Sequence, residues 1–245
     1  MAAAIARGFV ACGGPEEMLF VDSGSGRAAA LAAETGGSVV ATLEELATRS
    51  DVFVLAVKPG SLPEAAASLT AFDGPVVSIL GATSLADLER ALPNASLLRT
   101  MPNVAVELGR GVICHTAPSE PERFAEVIEL LGRVATLVEL PEEQLDAATA
   151  VMGCSPAYIA RACAALVEAG SDAGLAPETS ARLVGLTAAG TGELLLHRTP
   201  GDIERAVASP GGSTEAGLRA LTDSGAEAAF KGAVQASLER MAAVG

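Results

Sequence analysis

In the first half of the chain, short runs of apolar and β-branched residues alternate with stretches rich in Ala and Leu. Continuously apolar strands that alternate with helices are typical of a parallel sheet whose two faces are both covered. The runs predict strands at 18–22, 51–57, 76–80, 97–100, 112–115 and 134–138. The stretches between them predict helices near 27–35, 43–49, 61–70, 84–92 and 121–131.

The pattern changes after about residue 140, where strand-like runs end. Helical periodicity then predicts helices over 142–172, 177–197, 201–208 and 213–243. Their many Ala and Gly residues allow close helix packing, which serves either a dimer interface or an internal core. The sequence therefore predicts an α/β Rossmann-type parallel-sheet domain over 1–140, followed by an all-α domain over 141–245.

The net charge of the chain argues against nucleic-acid and membrane partners. The formal net charge is −14, which repels phosphate backbones and anionic lipid. No apolar stretch reaches about 18 residues without a polar break, and no basic region precedes the apolar N-terminus. We therefore predict neither a nucleic-acid partner, nor a membrane span, nor a signal peptide.

The cysteines and histidines argue against metal binding. None of the four cysteines has CxxC spacing, and the two histidines have no ligand partner at a suitable distance in sequence. Free thiols are typical of a reducing compartment, so the sequence predicts a cytoplasmic protein without a metal site.

Asp22 ends the first predicted strand, where a carboxylate would bind the adenosine ribose of a dinucleotide. A turn or helix N-cap is an equally good interpretation of this residue. A ribose contact would favour NAD, and Arg27 is the nearest cation that could offset this preference. The glycines of Gly24-Ser25-Gly26 are interpreted as a turn into the next helix.

Two further segments carry candidate chemistry. Residues 56–59 (AVKP) end the strongest strand, and ligands bind at the carboxyl ends of parallel strands. Residues 209–214 (SPGGST) predict a Pro-Gly turn followed by a Ser or Thr N-cap. The same helix start could bind an anion, because two glycines expose backbone N–H groups.

Four segments in order carry a family resemblance: AVKP at 56–59, RTMPN at 99–103, SPAY at 155–158 and SPGGST at 209–214. Together they resemble pyrroline-5-carboxylate reductases over essentially the whole chain. The resemblance implies a helical domain that forms homodimers, and rings of dimers in some members. It also implies hydride transfer from NADPH or NADH to the imine carbon of 1-pyrroline-5-carboxylate, giving L-proline.

The resemblance also implies roles for single residues. The Thr214 hydroxyl would lie near the ring nitrogen as the catalytic group, and backbone amides of the same loop would hold the substrate carboxylate. The predicted substrate-binding residues are Gly212, Ser213, Thr214 and Glu142. Val57, Lys58, Gly81 and Asn103 match cofactor positions, and Asp22 joins them because of its place at a strand end.

The chain also departs from the family pattern. The family opens with a strand and a glycine loop, whereas this sequence begins where the first helix should follow. We expect a truncated or mis-assigned start, a sheet without its first strand, and weakened cofactor binding. Leu43, Met152, Cys154 and Ala206 replace smaller or polar residues of the family. Two alternatives therefore stay open: a reductase of another imine or small acid, and a non-catalytic dimeric paralogue.

Overall fold

The computed structural model describes residues 1–243, which form two compact units. The first unit consists of Met1–Cys154 together with the C-terminal segment that begins at Ser237, and the second is Ser155–Ala236. The units therefore divide at Cys154, fourteen residues beyond the predicted boundary. The assignment of cofactor and substrate functions to 1–140 and 141–245 stays a prediction.

The described residues of the first unit contain seven strands in two sheets. The strands are β1 Leu19–Phe20, β2 Ser38–Val39, β3 Phe53–Leu55, β4 Pro75–Ser78, β5 Ser96–Pro102, β6 Gly111–His115 and β7 Ala135–Glu139. The larger sheet has the order β3-β4-β5-β6-β7. The predicted parallel sheet is confirmed at three of its four pairs, and the pair of β5 and β6 is antiparallel.

Helices cover both faces of the larger sheet. Successive side chains of a strand point to opposite faces, so Val76 joins one apolar cluster and Val77 the other. Leu97 and Leu98 divide between the same two clusters. The helices of this unit are α1 Ala2–Cys12, α2 Arg27–Thr35, α3 Leu43–Arg49, α4 Leu62–Ser68, α5 Leu85–Ala91, α6 Ala125–Gly132 and α7 Leu145–Ala148.

The strands β1 and β2 form a separate parallel pair. Leu19 and Val21 nevertheless pack against the cluster that contains Phe53 and Leu55, so both sheets cover one core. Over residues 1–243, β3 is an edge strand whose only strand partner is β4. This division agrees with the expectation of a Rossmann-type sheet without its first strand.

The second unit is helical, as the sequence predicts. Ser180 is buried and its hydroxyl donates to the Val167 carbonyl at 2.8 Å, which joins α8 to α9. The predicted helix over 213–243 was wrong in one respect, because a turn between Asp223 and Ala226 divides it in two. The helices are α8 Ser155–Asp172, α9 Pro177–Leu195, α10 Pro200–Val207, α11 Ser213–Asp223 and α12 Ala226–Ala242.

One helical stretch, Glu142–Asp172, has the length and apolar composition of a membrane span, and little of it is buried. Such a stretch also occurs in helices that pack against another protein chain. The predicted absence of a membrane span therefore stays a prediction. Large apolar side chains are exposed along this stretch and the next helix at Ile159, Leu166, Leu183, Leu186 and Leu194.

Candidate functional site

Three parallel strands of the larger sheet end at one edge. Val57 and Lys58 follow β3, Gly81 follows β4, and Asn103 follows β5. Since the carboxyl ends of neighbouring parallel strands lie together, the fold brings these four predicted cofactor residues to a common edge. This is the edge at which open α/β sheets bind their ligands.

A groove of about 670 Å³ lies between α4 and α5, which supply most of its lining, and it reaches this edge. At the edge, Pro59 and Gly60 line one part of the groove, and Ala82 and Thr83 line another. A side-chain carbon added at Gly60 or Gly81 would meet no atom within 4 Å, so a ligand can approach the backbone at both positions. The groove therefore connects the turn after β3 with the loop after β4.

Val57 and Lys58 differ in exposure. Val57 is partly buried and packs against the apolar core, whereas Lys58 is exposed. The Lys58 carbonyl accepts the Ser61 N–H at 2.8 Å, which fixes the turn that Pro59 begins. Lys58 thus presents an exposed cation beside a hydrogen-bonded turn, a combination that suits an anionic group of a ligand.

The loop after β4 contains an unusual backbone conformation. Ala82 has a φ of 52°, in the left-handed region that residues other than glycine seldom adopt. α5 begins at Leu85, three residues later, and Ser84 and Asp87 close a capping box at the start of that helix. The strained residue therefore lies between a strand end and a firmly capped helix.

The Asp22 carboxylate is engaged by its own loop. One oxygen accepts the N–H groups of Gly24 at 2.7 Å and Ser25 at 3.0 Å, and the other accepts the Ala28 N–H at 2.7 Å. These bonds, chiefly the one from Ala28, lower the pKa of Asp22 to about 2. The structure supports the interpretation of Asp22 as a turn and helix-cap residue, because its carboxylate closes a turn and accepts an N–H from the first turn of α2. The ribose contact stays a prediction.

Asn103 also makes structural hydrogen bonds. Its Oδ1 accepts the Val112 N–H at 3.2 Å, and its Nδ2 donates to the Met152 carbonyl at 3.4 Å. Met152 belongs to a π-helical turn over Thr149–Gly153, a local geometry that is frequent at functional sites. Asn103 is buried and holds this turn to the end of β5.

Glu142 has a partner that sequence reasoning missed. Arg99 lies in β5, all of whose residues are buried, and its Nη1 donates to Glu142 Oε1 at 2.8 Å. The same oxygen accepts the Leu85 N–H at 2.5 Å. A lone arginine within an apolar run was the available signal, because a buried charge requires a partner.

The segment at 209–214 lies in the second unit. Gly211 has a φ of 73°, and its N–H donates to Glu215 Oε2 at 2.8 Å. The N-cap of α11 is Gly212, without a side-chain cap, so the prediction of a Ser or Thr N-cap was wrong. Ser213 and Thr214 are exposed in the first helical turn, where N–H groups have no acceptor within the helix.

The sheet edge offers two kinds of ligand contact. The open backbone at Gly60 and Gly81 suits a flat, hydrogen-bonding group such as the nicotinamide end of a dinucleotide, and the exposed Lys58 suits an anionic group. Within residues 1–243, no three His, Cys, Asp or Glu side chains are grouped to hold a metal ion.

Comparisons with known proteins agree with this architecture. Residues 142–244 match the family model for pyrroline-5-carboxylate reductase dimerisation, and residues 1–81 match the model for NADP oxidoreductase, coenzyme F420-dependent. A pyrroline-5-carboxylate reductase of Synechocystis is 36% identical over 208 residues, which cover 82% of this chain and 78% of that protein.

Solved structures match almost the whole chain. The 1-pyrroline-5-carboxylate reductase of Streptococcus pyogenes is 27% identical, with a TM-score of 0.87 over 98% of this chain and 94% of that chain. The pyrroline carboxylate reductase of Plasmodium falciparum with NADP bound is 24% identical, with a TM-score of 0.86, covering 99% of this chain and 94% of that chain. The second match supports the fold alone.

The fold and the sheet edge define a Rossmann-type oxidoreductase with a helical dimerisation domain. Sequence identity assigns the chain to a particular family within this class, because the Synechocystis enzyme is 36% identical over most of both chains. The chain belongs to the pyrroline-5-carboxylate reductase family. The dimerisation match also accounts for the exposed apolar side chains of α8 and α9.

Proposed function

We propose that this protein reduces 1-pyrroline-5-carboxylate to L-proline with NADPH or NADH. The observation that carries the proposal is an exposed, uncapped helix start at Gly212 within a chain of this family. The helix start offers N–H donors to a carboxylate, and the first turn of the helix adds the neutral hydroxyl of Thr214.

The proposed reaction is a two-electron reduction. A bound reduced nicotinamide would supply the hydride that reaches the imine carbon and would itself become oxidised, and the electron pair of the C=N bond would stay on the nitrogen, which carries a proton taken from solvent. The Thr214 hydroxyl accepts a hydrogen bond from the protonated imine or donates one to the product amine. Because that hydroxyl is neutral, its approach requires no second charge to be desolvated.

The proposed substrate residues come from both units, and the proposed cofactor residues come from the first. Gly212 and Ser213 would bind the substrate carboxylate, and Glu142 has one oxygen left for a substrate contact. Val57, Lys58 and Gly81 would bind the cofactor, with Asp22 and Asn103 shaping the loops beside it. The protein would work in the cytoplasm as a homodimer or ring of dimers, and its four free cysteines suit that compartment.

The test is oxidation of NADPH or NADH with 1-pyrroline-5-carboxylate as substrate. The reaction is followed by the loss of the absorbance that is specific to the reduced cofactor. Formation of L-proline in equal amount is the expected result. No oxidation with either cofactor would overturn the proposal. Faster turnover with another cyclic imine or small carbonyl acid would favour the alternative reductase suggested by Met152 and Cys154.

The departures at Met152, Cys154 and Ala206 from the family pattern favour a second candidate, a dimeric protein without catalysis. Titration with NADPH and with NADH, followed by cofactor fluorescence, separates the candidates without requiring turnover. Binding of either cofactor supports the reductase, and binding of neither by a folded dimer supports the second candidate.

A further inference from the structure

The loop between β4 and α5 is held at both ends by neighbouring residues of β5. At its start, the Thr100 hydroxyl donates to the Ser78 carbonyl at 2.9 Å. At its end, Arg99 holds Glu142, whose carboxylate accepts the N–H of Leu85, the first residue of α5. One strand therefore fixes the loop 79–85 through two independent polar contacts.

The contact at the end of the loop depends on a shared oxygen. Glu142 Oε1 accepts from Arg99 Nη1 at 2.8 Å and from the Leu85 N–H at 2.5 Å. The Arg99 side chain is only 6% exposed, and its Nε is buried without a partner. Arg99 Nη2 also lies 3.7 Å from Asp146 Oδ1, so Glu142, at 2.8 Å, is the closer of its two carboxylate partners. A charge buried to this degree depends on such partners to keep its position.

The loop needs such support because of its backbone. Ala82 is in the left-handed region, a conformation that persists only where the surroundings enforce it. Ala82 and Thr83 also line the groove at the sheet edge. A change at Glu142 would therefore alter the shape of the groove, although Glu142 is not among the residues that line it.

We propose that Glu142, held by Arg99, is a positioning residue that fixes the loop 79–85 in the form that receives the nicotinamide end of the cofactor. The proposal rests on the proposed function. In this proposal Glu142 acts indirectly, through the Leu85 N–H and the conformation of Ala82. A direct contact with the substrate would instead use only Oε2, the oxygen that bonds neither Arg99 nor Leu85.

The test compares three variants at neighbouring positions. Glu142→Ala removes both contacts, whereas Glu142→Gln keeps an oxygen for the Leu85 N–H. Glu143→Ala is the matched control, because Glu143 is exposed on the same short 3₁₀ turn. Hydrogen exchange of amides 79–85 in the free protein is measured first, and NADPH affinity by fluorescence titration second.

We expect Glu142→Ala to speed exchange in 79–85 and to weaken NADPH binding by about tenfold, the effect of one charge-assisted hydrogen bond. Glu142→Gln should fall between this variant and the unsubstituted protein, and Glu143→Ala should match the unsubstituted protein. The KM for NADPH should rise more than the KM for 1-pyrroline-5-carboxylate.

Two results would overturn the positioning role. One is unchanged exchange in 79–85 for Glu142→Ala. The other is unchanged NADPH affinity with a raised KM for 1-pyrroline-5-carboxylate alone, which would return Glu142 to the substrate. If the unsubstituted protein binds neither NADPH nor NADH, the proposed function fails, and the exchange measurement still decides whether Glu142 holds the loop.

Discussion

Gly8 is the position at which α1 packs most closely against the rest of the first unit. A side-chain carbon added there would lie 2.1 Å from the Val106 carbonyl oxygen and 3.1 Å from Val134 Cγ1. Val106 and Val134 are both fully buried. Carbon-to-oxygen contacts normally begin at about 3.3 Å, so Gly8→Ala would force α1 and the Val106 backbone apart by about an ångström.

Two opposing effects set the size of the change. Alanine stabilises a helix interior by about 1 kcal/mol relative to glycine. Overpacking a core costs about 1–3 kcal/mol, and here the obstacle is backbone, which cannot rotate away. Separating α1 also loosens Ile5 and Phe9 within their apolar cluster. Because the obstacle is backbone, we expect the upper part of the overpacking range, which leaves a net loss of roughly 1–2 kcal/mol and a fall in Tm of roughly 2–8 °C.

The assay is thermal unfolding followed by circular dichroism, with Gly132→Ala as the matched control. Gly132 ends α6, is exposed, and would have no atom within 4 Å of an added carbon. The control should unfold at the temperature of the unsubstituted protein or slightly above it. A Gly8→Ala variant that unfolds no earlier than the control would refute the close packing of α1.

Three further predictions concern the site and its loops. Thr214→Val should lower kcat with 1-pyrroline-5-carboxylate roughly 10- to 100-fold, with NADPH affinity unchanged and Thr214→Ser largely active, in steady-state and binding assays. The lowered pKa of Asp22 means that its ionised form stabilises the fold at and above pH 3.8, and that this contribution disappears as pH falls towards 2. The difference in Tm between the unsubstituted protein and Asp22→Asn should therefore shrink as the pH falls from 3.8 towards 2. A difference in Tm that does not change with pH would contradict this prediction. Ser84→Ala removes the cap of α5 and should cost about 1 kcal/mol, seen as a fall in Tm of roughly 2–4 °C; an unchanged Tm would count against the capping box.

The elements that the sequence predicts well are those with a strong local pattern. The predicted helices over 27–35 and 43–49 coincide with α2 and α3, because turns and caps bound both. Each of the six predicted strands is present within a few residues of its expected position. By contrast, β2 was missed, since Ser38–Val39 is too short to form an apolar run.

The direction of β6 was predictable in principle. Only eight residues separate Pro102 from Gly111, and they include a short 3₁₀ turn over Val104–Leu108. A crossover between parallel strands needs a dozen or more residues, so this connection permits only an antiparallel return. The direction of β6 could therefore be predicted from the length of the connection before it, and not from the composition of the strands.

The pair formed by Arg99 and Glu142 could not be found from spacing. The two residues are 43 positions apart, and nothing in the sequence of either segment specifies the other. Sequence reasoning could establish only that a buried arginine needs a carboxylate. Which of the acidic residues supplies it depends on the chain path after β7, which no local pattern determines.

At this edge of the sheet, some polar side chains make structural hydrogen bonds and others are left for a ligand, and the reversal of the chain after β5 explains the difference. β5 is the last of the three parallel strands, and the chain turns back directly after it. Asn103, at the turn, is buried and uses its amide for the Val112 N–H and the Met152 carbonyl. Arg99 is likewise committed to Glu142. Ligand contacts at the edge are thus left to Lys58 and to the open backbone at Gly81, while β5 holds the loop that carries Gly81 in place.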